Sequence, residues 1–227
     1  IKLPNTRITS LLNDVGSALR YNDYELRRVR IKAVSRGLVG VSSTFGKVLF
    51  EVGLTVDPFM NFPYIPGSTL KGAVRSALFE LLLIRSKGSI AEAEAEKQCR
   101  RLFGGSNEGM GLVGFTDAYP VRPGERGYIV YPDVMSPHYN EKVKTELDVE
   151  PKPIVYLSIA PESEFQFYLF FKKLRGKGEK MRQLMVKNSR EADIAEDPVP
   201  KMEELGLLDS AVLYAFSRGV GAKTSVG

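Results

Sequence analysis

Tryptophan is absent from this 227-residue chain, which has one histidine and one cysteine. A single cysteine excludes an internal disulfide, and one thiol with one imidazole cannot assemble a His/Cys zinc cluster. Cys99 sits in a polar, helix-like run, EAEAEKQCRRLF, where nothing marks it as a nucleophile. A reducing, cytoplasmic setting fits that usage. No apolar run approaches the roughly 18 residues that a membrane span requires. The first residues, IKLPNTRITS, lack a secretory leader pattern. The expectation is a soluble intracellular protein with no membrane partner, no metal and no other cofactor.

What is present is ordinary for a globular chain: 43% hydrophobic and 26% charged residues, net charge +5. The charge is unevenly placed. Lys and Arg dominate from Arg20 to Lys47 and again from Lys172 to Arg190, whereas acids dominate from Glu191 to Asp209. Such separation fits basic surfaces for polyanions and an acidic one for a neighbouring protein, or solvated helix faces. The length allows a single domain over 1–227 with a sizeable core.

Residues 1–25 read as an N-terminal helical segment, with Ile8, Leu11, Leu12, Val15 and Leu19 at helical spacing. RRVRIKAV then alternates, Val29 and Ile31 one way, Arg28, Arg30 and Lys32 the other, as in a half-buried strand with a cationic face. Lys47–Val56 reads as its antiparallel partner, joined by a projecting link, SRGLVGVSSTFG. In IPGSTLKGAVRSALFELLLIR, Ser68 or Thr69 caps a helix whose Leu70, Ala73, Val74, Ala77, Leu78, Leu81 and Leu82 repeat at three and four. A second helix closes at Gly104–Gly105. Residues of about 118–150 read as a long insertion, KPIVYLSIA and EFQFYLFF as strands, 177–188 and 201–217 as helices, and 191–200 as an acidic link. Short, partly adjacent strands among helices favour an α+β fold with an antiparallel sheet.

Two stretches carry candidate chemistry. At the start of the IPGSTLKG helix, Lys71 and Arg75 lie four apart where the helix dipole is already positive, so an anion docking there would relieve them. Gly67 and Gly72 permit close approach of a backbone or phosphate. The bland alternative is a capped helix with exposed basic residues. The second stretch, GVGAKTSVG, sets Gly219, Gly221 and Gly227 around Lys223, Thr224 and Ser225. Successive amides in such a turn form an anion nest. It is not a P-loop, because Ala222 stands where the glycine before Lys223–Thr224 belongs. Gly219 also suits the C′ position of the preceding helix. Phe59, Phe62, Tyr64, Tyr128, Tyr131 and Tyr139 can stack bases, whereas Phe165, Phe167 and Phe171 alternate as core. Asp117 and Asp133 are isolated acids, suited to caps, turns or ligands. His138 can act as a general base in metal-independent RNA cleavage, but more often such a residue is a surface side chain.

PYIPGSTLKGAVRS, RLFGG, GFTDA and the closing GVGAKTSVG together resemble the RAMP superfamily of CRISPR-associated RNA-binding proteins. YPDVMSPHY, PIVYLSIAP and GAKTSVG resemble, more narrowly, a subunit of type III-B Cmr effector complexes. The resemblance spans about Arg27 to Gly227. It implies a ferredoxin-like (RRM-like) fold with helices on one face of the sheet, continuing past Gly227. It also implies a non-catalytic subunit of antiviral defence that holds crRNA near its 3′ region. The implied partners are crRNA, target RNA in the assembled complex, and the other RAMP subunits of the particle. The residues carried over are Pro66, Gly67, Ser68, Lys71 and Gly72 at the helix start, and Gly219, Gly221, Lys223, Thr224, Ser225 and Gly227 in the loop. Backbone subunits that cut target RNA carry an aspartate in the loop after the first strand. SRGLVGVSSTFG has none, so that role is not carried over. The rival reading is a ribonuclease that processes precursor crRNA with His138 as base.

Overall fold

The computed structural model describes residues 5–40, 52–86, 90–105, 109–135, 153–172 and 206–220. In chain order the elements are α1 (Asn5–Tyr21), β1 (Tyr24–Lys32), β2 (Val56–Asp57), β3 (Phe62–Pro63), α2 (Gly67–Arg85), α3 (Glu92–Phe103), β4 (Gly104–Gly105), β5 (Gly109–Met110), β6 (Val113–Phe115), β7 (Tyr119–Arg122), β8 (Val130–Met135), β9 (Ile154–Ile159), β10 (Glu164–Lys172) and α4 (Leu207–Ser217). The expected helix at 177–188, the acidic link at 191–200 and the second half of the expected insertion lie outside the described residues.

The central sheet is antiparallel, in the order β1-β10-β6, with β7 also pairing along β10. Here the sequence expectation is corrected. Among the described residues the partner of β1 is β10, with Val29 opposite Phe167 and Ile31 opposite Phe165, and residues 52–56 of the expected partner do not pair with it. Of that stretch, Val52 makes a parallel bridge to Tyr156, and the Thr55 N–H donates to the Val39 carbonyl. The reason lies in β10 itself. EFQFYLFF carries bulky groups on both faces, so burial of both faces is favoured and it takes an inner position. Strand β1, with exposed Arg30 and Lys32, is the outer one among the described residues.

Phe165, Phe167 and Leu169 are buried on the side of the sheet where α2 and α3 pack on β6 and where Phe167 meets α4. A row of rings crosses this side: Phe103 of α3 stacks on Phe115 of β6, Phe115 on Phe167, and Phe167 tilts against Phe216 of α4 at 5.8 Å. Buried Arg27 of β1 also lies on this side and favours the charged form of Asp209 on α4, against the larger effect of burial, which raises that carboxyl's pKa. The opposite side is covered too. Helix α1 crosses it, with Gly16 so close to the Tyr168 ring that an added Cβ would stand 3.0 Å from the hydroxyl. Tyr24 meets Phe170 edge-on on the same side. Helices therefore sit on both faces, where the resemblance implied one. The apolar stripe of α1, with Ile8 and Leu12 buried, must cover something, and the aromatic back of β10 is what it covers.

The expected apolar rows of α2 and α4 are those observed, with Leu70, Val74, Leu78, Leu208 and Val212 almost fully buried. Residues 119–135, read as the opening of an insertion, carry two strands. Strand β7 joins the central sheet, and β8 pairs with β9 from Val130↔Ile159 to Met135↔Ile154. The link after β1 does not project over its described part. Leu38 and Val39 are buried, and Gly37 exchanges two backbone hydrogen bonds with Ile159. Asp133 fastens the β8–β9 ribbon to that link. Its carboxylate accepts from Arg36 at 2.6 Å and from the Tyr156 hydroxyl at 2.8 Å.

Candidate nucleic-acid interface

The IPGSTLKG turn divides into a packed half and an open half. Helix α2 starts at Gly67 with Pro66 in the cap position, and Pro66 has no side-chain cap bond. Neither Ser68 nor Thr69 takes the capping role expected of them. Instead the Asp117 carboxylate, 50 positions further on, accepts the Gly67 N–H at 2.7 Å. A carboxylate there also complements the helix dipole. Gly67 is buried, and a Cβ on it would lie 2.5 Å from the Phe115 carbonyl oxygen and 3.0 Å from the Thr116 carbonyl carbon. What approaches Gly67 so closely is the chain's own β6. The expected cradle is therefore already filled at Gly67.

Ser68 and Gly72 face solvent, and nothing lies within 4 Å of a Cβ built on Gly72. Lys71, half-buried, has no ion pair among the described residues. Arg75, the third basic or polar residue of the set, is tied to Glu96 of α3. The open part of the turn is thus Ser68, Lys71 and Gly72. Its neighbour Cys99 is buried, and burial pushes its thiol pKa up to about 11, so it stays protonated at neutral pH.

Behind this turn, Asp57 organises the β2–β3 tip. Its carboxylate accepts the N–H groups of Phe59 and Met60 at 2.8 and 2.9 Å and the Tyr119 hydroxyl at 2.6 Å. Tyr119 stacks on Tyr64 with ring centroids 5.8 Å apart. Burial opposes charge on Asp57, but the bonds from Tyr119, Met60 and Phe59 prevail and hold its pKa below the usual value for an aspartate. Burial, then the bond to Asp57, pushes the Tyr119 hydroxyl well above the usual phenol range. A carboxyl with a depressed folded-state pKa contributes stability that is complete above the unfolded value and lost as pH falls through the folded one. The tip should therefore be intact at neutral pH and loosen only below about pH 4. In Tyr119→Phe the Asp57 midpoint should rise, as followed by NMR titration of its carboxyl carbon. An unchanged midpoint would show that the hydroxyl does not set it.

At the other candidate stretch, Gly219 follows the α4 C-cap Arg218 with φ of +90°, the C′ conformation expected of it. Arg218 pairs with Glu80 of α2 and lies over the Tyr214 ring. Gly221, Lys223, Thr224, Ser225, Gly227 and His138 lie outside the described residues. A groove of about 530 Å³ runs between β1 and the end of α4, floored by Val29, Phe165 and Val212, with Arg30, Lys32, Arg36 and Arg218 among its lining. Arg30 donates to Gln166, Lys32 pairs with Glu162, and Arg36 pairs with Asp133, so this basic lining is largely engaged within the chain. Asp57, Asp117 and Tyr119 carry the architecture of the site, and of these only Asp117 stands out in the sequence, as an isolated acid suited to a cap, a turn or a ligand. The signal for Asp57 was DPFMN itself, an Asx turn in sequence form.

Among the described residues, no group of three or more His, Cys, Asp and Glu is placed to hold a metal ion. No described helix is long and apolar enough to cross a membrane.

The family model of the RAMP superfamily matches residues 15–227. The chain belongs to the RAMP superfamily. It is 39% identical over 173 residues to the CRISPR system CMR subunit Cmr6 of Saccharolobus solfataricus, across 76% of this chain and 55% of that protein. A chain in the cryo-EM structure of the type III-B Cmr-beta bound to cognate target RNA is 36% identical and superposes with a TM-score of 0.63, over 80% of this chain and 58% of that one. A chain from the crystal structure of Cmr6 from Pyrococcus furiosus is 20% identical with a TM-score of 0.45, over 90% of this chain and 96% of that one. The present chain thus spans little more than half the length of the S. solfataricus relative.

Proposed function

We propose that this chain is a non-catalytic, crRNA-binding structural subunit of a type III-B CRISPR effector complex. In this reading it packs against the other RAMP subunits and meets target RNA only in the assembled particle. The observation that carries the reading is the open half of the α2 turn. Ser68, Lys71 and Gly72 are left available to an anion at a helix N-terminus, while Asp117 and β6 hold the turn rigidly from behind. The likeness to Cmr6 supports it. The described order β1–α2–β6–β10–α4 is then the larger part of a ferredoxin-like core, and the residues after Gly219 supply a second phosphate contact.

Phosphate contacts position RNA without reading its bases. Lys71→Ala should weaken single-stranded RNA binding by about fivefold at low salt and reduce the slope of log affinity against log salt by about 0.7, the contribution of one contact. The loss should be equal for guides of unrelated sequence. Fluorescence anisotropy across a salt series measures both. A loss that depends on guide sequence and leaves the slope unchanged would overturn the assignment.

A further inference from the structure

Of the described aromatic side chains that the sequence offers for stacking, Phe59 is the most exposed, ahead of Tyr128, which is 46% exposed and tilted against Tyr131. Phe62 is buried, Tyr64 is stacked on Tyr119, and the Tyr131 hydroxyl donates to the Glu125 carbonyl. Phe59 is 92% exposed. An exposed phenyl ring on a floppy loop would need no comment. This one stands on a turn that is fixed from several directions: its own N–H and that of Met60 are held by the Asp57 carboxylate, the Asn61 N–H donates to the Asp57 carbonyl at 2.8 Å, and Tyr119 clamps Asp57 from β7. Asn61 completes the tip in the left-handed conformation with φ of 57°. Pro58 further stiffens the approach. The ring is therefore presented with its backbone already ordered, which removes much of the entropy cost of binding.

We propose that Phe59 is a preorganised platform on which one unstacked RNA base rests, an inference that itself rests on the RNA-binding reading above. The surroundings distinguish a base from a protein pocket. A protein anchor residue sits at the centre of an apolar ring that excludes water. On the turn, Phe59 is accompanied by exposed Pro58 and Asn61 and by Met60, which is partly buried against the core, and none of the other large exposed hydrophobic side chains belongs to this turn. One flat ring on a turn that also carries one exposed amide matches one nucleobase better than an apolar protein pocket. The acid of the turn, Asp57, has its oxygens engaged by three donors, which reduces its repulsion of a passing phosphate. The tip leads through β3 and residues 64–66 into the open Ser68–Lys71–Gly72 turn, so the two candidate contacts are neighbours along the chain.

Because the chain has no tryptophan, Phe59→Trp installs a single indole at the tip. The probes are a single-stranded adenosine oligomer and an abasic ribose-phosphate oligomer of equal length, titrated into the full protein. We expect the adenosine oligomer to quench the indole and the abasic one to leave it unquenched. Phe59→Ala should weaken binding of the adenosine oligomer by about five- to tenfold, with Phe59→Tyr within about twofold of the parent and Phe59→Leu as weak as alanine. Binding of the abasic oligomer should be unchanged in all of them. If neither oligomer binds the unaltered protein, the RNA reading fails and takes this inference with it. If both bind equally well and the indole is unquenched, the platform fails while the phosphate reading stands. An indole that responds to the neighbouring subunits without RNA would assign the ring to a protein contact and overturn the proposal.

Discussion

Phe167→Ala should cost about 4 kcal/mol of folding stability, the largest loss expected of any single truncation here. Phe167 is fully buried at the centre of the ring row, between Phe115 of β6 and Phe216 of α4, and directly opposite Val29 of β1. Removing the ring takes away contacts to three elements at once, and the surrounding β-ladder cannot collapse into the space. Domains are stable by only about 5–15 kcal/mol in total, so the variant should be close to unfolding at growth temperature. Urea titration followed by far-UV circular dichroism measures it. A loss under 1 kcal/mol would mean that the ring row does not carry the packing between sheet and helices.

Gly67→Ala is the second. The added methyl would lie against the Phe115 carbonyl oxygen and the Thr116 backbone, none of which is the free end of a side chain. Relief requires the first turn of α2 to move off β6, which lengthens the Asp117 bond to Gly67. Overpacking of this kind, with partial loss of a charge-assisted hydrogen bond, should cost about 3 kcal/mol. In a chain of this size that lowers the melting temperature by roughly 6–12 °C. Gly72→Ala is the internal contrast. A Cβ there meets nothing, and replacing a mid-helix glycine should stabilise the fold by up to about 1 kcal/mol. If RNA affinity falls in the stabilised Gly72→Ala protein, close approach of the polymer is the remaining reason for that glycine. Equal melting temperatures for the two variants would refute the division of the turn into packed and open halves.

These two glycines mark where the sequence was legible. Helices α2 and α4 could be read because their apolar positions recur within one turn, and recurrence is a local property. The same holds for Gly219, whose role as C′ residue depends only on the helix before it. Strand pairing is not local. Val29 and Phe167 stand 138 positions apart by their numbers, and nothing in the alternation of either strand names the other. Lys47–Val56 reads as an antiparallel partner of β1, whereas among the described residues the two-sided bulk of β10 makes it the partner. Helix α1 showed an apolar stripe without saying which surface it would meet, so its place opposite the other helices was hidden.

At the site, the pattern IPGSTLKG announced close approach at Gly67 but not what approaches. A glycine tolerates a phosphate or the chain's own carbonyl equally well, and at Gly67 the carbonyl took the place. The cap from Asp117 was hidden for the same reason as the strand pairing, since the acceptor comes from a distant part of the chain. DPFMN, by contrast, held its Asx turn in five consecutive residues. The exposure of Phe59 could not be read from it, because sequence alone gives the same weight to Phe59 and to buried Phe62.

Helix α1, resting on Tyr168 of the middle strand, closes off the flat expanse on which a pleated surface could spread several nucleotides side by side. In the function proposed above, a polynucleotide would then run past corners of the described structure, a helix start and a turn tip, rather than lie across the sheet. Spaced footholds of that kind would grip the ribose-phosphate thread and leave most letters unread, as a holder of many different guides requires.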